Sequence, residues 1–93
     1  MLKHIVFFKM KDRAQAETLV TMLSGLKETI GDIEQLEAGI NIKEGDNAAD
    51  VALYTSFKDE AALDRYRVHP EHQKVVAFIG EHCSARQFVD YLD

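Results

Sequence analysis

The segment Tyr66-Arg67-Val68-His69-Pro70-Glu71-His72 decides how this chain is read, because it holds a tyrosine, two of the four histidines and the only proline. Proline lacks an N–H to donate and disfavours helical geometry in the residue before it. One helix is therefore expected to close near Val68 and a second to open at Pro70. His69 falls at the joint. Glu71 and His72 enter the first turn of the new helix, where an acidic group complements the positive helix end. Tyr66, closing the earlier helix, can face the same space as His72.

Outward from this elbow, Asp59 is a candidate cap for a short helix carrying Ala62, Leu63 and Tyr66. After Pro70, the residues Val75, Val76, Phe78 and Ile79 make a helix that should end near Gly80. Asp12 is the corresponding cap for a longer helix reaching about Ile30. There Ala16, Leu19, Val20, Leu23, Leu26 and Ile30 recur at three- and four-residue steps as one apolar stripe. Gly31 is expected to stop that helix in a left-handed conformation.

The remaining stretches read as strands. The first, Lys3 to Met10, sets His4, Val6, Phe8 and Met10 on one face and Ile5 and Phe7 on the other. In the second, from about Glu34 to Ile42, Leu36, Ala38, Ile40 and Ile42 alternate with polar residues or glycine, and Gly39 suggests a bulge or a close backbone approach. The third runs from Val51 to Phe57 and the last from Arg86 to Leu92. Lys43 to Asp50 is a polar loop in which Asp46 and Asp50 read as solvated acids. The order strand, helix, strand, strand, helix pair, strand gives an α+β, ferredoxin-like βαββαβ protomer, with residues 1–93 as one domain built on a four-stranded antiparallel sheet.

Helices striped on one side cover one side of such a sheet. Ile5, Phe7 and parts of the third and fourth strands would then face water as a patch larger than monomers leave exposed. A second copy pairing sheet to sheet removes it, so a homodimer closing as a dimeric α/β barrel is expected.

The chain has 93 residues, 46% hydrophobic and 29% charged, which is globular composition. A net charge of −5 with scattered lysines and arginines argues against a nucleic-acid partner. Cys83 is the lone cysteine, so no intrachain disulfide forms. The apolar run Ile5–Phe8 is too short for a spanning helix or a signal-peptide core. A cytoplasmic protein without a membrane partner is the expectation.

These features resemble the stress-responsive dimeric α/β-barrel family, Dabb. The matching residues are Lys3-His4-Ile5-Val6 with Phe8-Lys9 and Lys11-Asp12, then Glu37-Ala38-Gly39, Tyr66 with His69-Pro70-Glu71-His72, and Val89-Asp90-Tyr91. The resemblance spans nearly the whole chain. It implies a ferredoxin-like protomer with a cleft between sheet and helices, and a partner sheet closing the barrel. One branch of the fold contains plant polyketide cyclases, which close a poly-β-keto chain by an intramolecular aldol step. Their catalytic tyrosine and histidine fall at positions matching Tyr66 and His72, and a strand-one histidine matches His4. The pocket departs from theirs, with aliphatic Leu19, Val20 and Leu23 in place of aromatics and Cys83 in place of a tryptophan. The absence of tryptophan also separates this chain from the haem-degrading barrels, which pair a tryptophan with a histidine.

On chemistry alone, His72 titrates near neutrality and can take a proton from a carbon beside a carbonyl, while the Tyr66 hydroxyl donates to the oxygen that gains charge. His4, Val6, Phe8, Leu23 and His69 are the candidate ligand-contacting residues around this pair. The structural alternatives stand beside these roles. His72 packs in a helical turn, His69 braces the elbow, and His4 either lines a cavity or bonds Tyr66, His69 or His72. His69, Glu71, His72 and His82 lack the spacing of a zinc motif, so no metal site is expected, and no cofactor is implied. Two functions remain open: cofactor-free cyclase, lyase or isomerase chemistry on a carbonyl compound, or a non-catalytic homodimer that binds a hydrophobic metabolite or serves a stress-protective structural role.

Overall fold

The computed structural model describes all 93 residues. Strand β1 (Leu2–Met10) is followed by a 3-10 turn (Arg13–Gln15), helix α1 (Ala16–Thr29), strands β2 (Ile33–Ile40) and β3 (Val51–Phe57), helices α2 (Glu60–Val68) and α3 (Pro70–His82), and strand β4 (Cys83–Leu92). The strands form one antiparallel sheet in the order β2-β3-β1-β4. This is the ferredoxin-like arrangement that the alternation of elements implies.

The apolar stripes explain the layers. Ala16, Leu19, Leu23, Leu26 and Ile30 of the first helical stretch are buried against Val6, Phe8, Leu53 and Phe57 of the sheet. Asp12 accepts the Ala14 N–H at 3.0 Å and so caps the 3-10 turn that leads into α1. Asp59 caps α2 by accepting the Ala62 N–H at 2.9 Å. Arg65 reaches back from α2 to grip Asp32 in the turn before β2, with Nε and Nη2 at 3.0 and 2.8 Å from its two carboxylate oxygens.

Three local expectations give way to different solutions. No residue has positive φ, so Gly31 does not end α1 in a left-handed turn; Ile30 turns to extended geometry instead and is held by burial of its own side chain. The irregularity in β2 lies between Ile33 and Gln35 rather than at Gly39, which sits opposite Ala52 with open space above it. Asp50 is 6% exposed instead of solvated. Its carboxylate accepts the Met10 N–H at 2.7 Å and its own N–H donates to the Phe8 carbonyl at 2.8 Å, pinning the long loop to the end of β1.

The sheet has two unequal faces. Even-numbered residues of β1 point to the helices and odd-numbered ones point away. On the far face, Phe7 and Val89 remain 47% and 51% exposed, beside Ile5, Ala52, Tyr54 and Tyr91. A concavity of about 840 Å³ opens on this side, between Phe7, Glu37, Gly39, Ala52, Tyr54 and Gln87. On the helix side the three helices pack over β2, β3 and one another. The helix-facing side of the edge strand β4 is left open, and Phe88 there is 52% exposed. No helix is long and apolar enough to cross a membrane.

Candidate functional site

The elbow forms at the expected residues and positions the site. His69 ends α2 and begins α3, and its ring Nδ1 accepts the Glu71 N–H at 3.1 Å as the cap of the new helix. His69 is thus occupied with the joint. The carbonyl of Arg67, at the open end of α2, accepts from Gln73 Nε2 at 2.6 Å and from His72 Nδ1 at 3.2 Å. A carbonyl oxygen can only accept, so His72 carries its proton on Nδ1 and its Nε2 keeps a free lone pair. Burial pushes the His72 imidazole below its ordinary value, with the Arg67 carbonyl pulling the other way and the charges of His4, Arg86 and Arg67 adding to the depression. His72 is therefore neutral at pH 7. The unfolded chain takes this proton at a higher pH than the folded one, so stability falls as the pH drops from about 6.5, the ordinary histidine value, toward the lower folded value.

The His72 ring lies over Tyr66, with centroids 4.1 Å apart. Tyr66 is 1% exposed and packs against Phe57 at 5.0 Å and edge-on to His4 at 6.2 Å. Its hydroxyl is buried and has no hydrogen-bond partner, the sole side-chain oxygen or nitrogen in the chain in that state. Burial pushes its pKa up to about 12, so the group is a proton donor at any physiological pH.

His4 projects from the centre of β1 and finds its partner across the neighbouring strand. Nδ1 hydrogen-bonds Asp90 of β4, which also accepts from Arg67 Nη2 at 3.0 Å. The partner is Asp90 rather than Tyr66, His69 or His72, because antiparallel register sets His4 directly opposite Asp90. This fixes His4 with its second nitrogen free. Phe88 stands beside it at 6.2 Å, flanked by the guanidinium carbons of Arg67 at 5.9 Å and Arg86 at 5.2 Å from its ring centre.

Of the residues singled out in the sequence, His4, Tyr66 and His72 converge at the edge where helices α2 and α3 leave β4 uncovered. Val6, Phe8 and Leu23 do not line this opening; each is buried in the core cluster, since the stripe of α1 packs over their side of the sheet. Asp90, Phe88, Arg67 and Arg86 complete the site, a role that the sequence reading does not give them. The signal for them is the period-two alternation of β4, which sets Arg86, Phe88 and Asp90 on one face across from Phe8, Val6 and His4. His82 packs on Phe78 at 4.2 Å, far in sequence and role from the elbow. Cys83 rests 3.6 Å from the Met10 sulfur, and burial raises its pKa.

Fold and side-chain geometry together define a ferredoxin-like α+β protomer with a histidine–tyrosine cluster beside its open edge. Residues 2–93 match the Stress responsive A/B Barrel Domain family, Dabb, and the chain belongs to it. An uncharacterized protein of Streptomyces coelicolor is 35% identical over 86 residues, covering 87% of this chain and 89% of its own. A dimeric ferredoxin-like protein of unknown function from Bacteroides fragilis superposes with a TM-score of 0.89 at 28% identity, over 99% of this chain and 95% of that one. A hydroxynitrile lyase from Passiflora edulis shares the fold at a TM-score of 0.85 and 14% identity, over 99% and 92% of the two chains.

A buried hydroxyl without a partner costs stability. Tyr66→Phe is therefore expected to stabilise the protein by roughly 1–2 kcal/mol, seen as a midpoint shift in urea unfolding at unchanged slope. A loss of stability would show that the hydroxyl is satisfied in solution.

Proposed function

We propose that this protein is a cofactor-independent acid–base enzyme acting on a carbonyl compound, with enolisation or aldol-type chemistry in the cleft at the α2–α3 elbow. The observation that carries this reading is the unpartnered, buried hydroxyl of Tyr66, a residue whose ring packs against the neutral His72 imidazole. Folding leaves that donor unsatisfied and without accessible surface, and in this reading a substrate carbonyl oxygen satisfies it once the His72 ring packed on Tyr66 swings aside.

In this mechanism the Tyr66 O–H donates to the carbonyl oxygen. The Nε2 lone pair of His72 takes a proton from the adjacent carbon, and the electrons of the broken C–H bond form the enol double bond as the oxygen gains charge. Return of the proton, or attack of the enol carbon on a second carbonyl, completes the turn. The Arg67 carbonyl supports the imidazolium that forms, because the Nδ1–H donates to it throughout. His4, held by Asp90, is a positioning residue at the cleft floor. Tyr66 stays protonated up to about pH 12, so the pH dependence near neutrality belongs to His72. A lyase built on the same fold, the Passiflora edulis protein, agrees with chemistry of this kind in this scaffold.

The same reading includes a homodimer through the far face of the sheet, where Phe7 and Val89 lie open. The Bacteroides fragilis relative is dimeric. An interface of the usual size, about 1,200–2,000 Å² in total, would cover this face and leave the elbow, on the other side of the sheet, open.

Two measurements test these statements. Phenylacetone in D2O exchanges its benzylic protons slowly on its own. The protein is expected to accelerate that exchange, with a rate that falls as the pH drops below the depressed His72 value, and His72→Ala is expected to abolish the acceleration by about 10²-fold or more while the thermal transition persists. Acceleration that survives in His72→Ala contradicts the assignment. In sedimentation, the wild type is expected near twice the 10.5 kDa chain mass and Phe7→Glu at the single-chain mass; a monomeric wild type at micromolar concentration contradicts the dimer.

A further inference from the structure

The charges around Phe88 are not balanced, and the imbalance points to a ligand. Asp90 is shared by a hydrogen bond from His4 and an ion pair with Arg67. Arg86 takes part in no ion pair and donates no side-chain hydrogen bond. Its guanidinium carbon lies over the Phe88 ring, 5.2 Å from the ring centre, on the β4 face that also carries Phe88 and Asp90. Stacking on an aromatic face holds the planar fork in place while leaving its N–H groups free. The second, independent feature is the Tyr66 hydroxyl, buried without a partner on the same side of the sheet.

We infer that the cleft takes a small keto acid, whose carboxylate is held by Arg86 on the face of Phe88 while its carbonyl oxygen reaches Tyr66. This rests on the acid–base reading above and names the substrate class for the same site. A carboxylate suits the position because it accepts two parallel N–H bonds from one guanidinium. Phosphate esters fit less well, because a dianion there calls for a second free cation, and Arg67 is already committed to Asp90. The distribution of roles follows: Tyr66 and His72 act on the carbonyl and its neighbouring carbon, and Arg86 determines specificity without touching the reacting atoms.

The test compares phenylpyruvate with phenylacetone, which differ by a carboxylate in place of a methyl group. Binding is followed by chemical-shift changes in the 15N-labelled full chain. The wild type is expected to bind phenylpyruvate about tenfold or more tightly than phenylacetone. Arg86→Gln should weaken phenylpyruvate about tenfold more than phenylacetone, bringing it down to the level at which the same variant binds phenylacetone. Arg86→Lys, which keeps the charge and loses the fork, should fall between. Because Arg86 is exposed, both variants are expected to keep the wild-type spectrum elsewhere. The inference is overturned if the two ligands bind equally, if Arg86→Gln weakens both alike, or if phenylpyruvate moves no resonance of the cleft. The outcome is separable from that of the catalytic reading. Carboxylate discrimination without His72-dependent exchange sinks the base alone, and His72-dependent exchange of phenylacetone without discrimination sinks the keto acid alone.

Discussion

A helix layer narrower than the sheet beneath it is the constraint on which the rest of this protein depends. The three helices cover β2, β3 and part of β1, and the helix-facing side of β4 is left uncovered. The uncovered edge lets His4 sit opposite Asp90, lets Arg67 close on the same carboxylate, and leaves Arg86 and Phe88 at the rim. The elbow at Pro70 then swings His72 over the remaining gap and onto Tyr66.

Energetically the site is held by its surroundings. Leu19, Leu23, Leu26 and Phe57 are buried in the core and fix the helices against the sheet. The Arg65–Asp32 pair and the His69 cap orient α2 and the start of α3. Against that rigid background the chain tolerates one buried hydroxyl without a partner and one desolvated imidazole. Both cost stability, and polar groups left in such a state mark places where function competes with folding.

Much of the fold was legible because its signals are local. The stripe from Ala16 to Ile30, the alternation of β1 and β3, the caps Asp12 and Asp59 and the Val68–Pro70 joint each follow from spacing or backbone chemistry within a few residues. The site was legible only in part. Tyr66 and His72 share one elbow and could be paired from the sequence, whereas Asp90 meets His4 across 86 positions, a contact that only strand register determines. Asp50 escapes the sequence for the same reason: its neighbours mark a loop, and its burial comes from the end of β1, forty residues away. Val6, Phe8 and Leu23 lie on the correct face, yet which part of that face stays open depends on how far the helices reach, and no short-range pattern encodes that reach.

The elbow presents a neutral His72, with a bare Nε2, packed against a protonated Tyr66. Long-range 15N–1H correlation spectra of the histidine rings test it most directly. At pH 7 the account predicts that His72 carries its proton on Nδ1, with Nε2 unprotonated, and titrates below 6.5, the ordinary histidine value. A charged ring at pH 7, or a proton resident on Nε2, would contradict it.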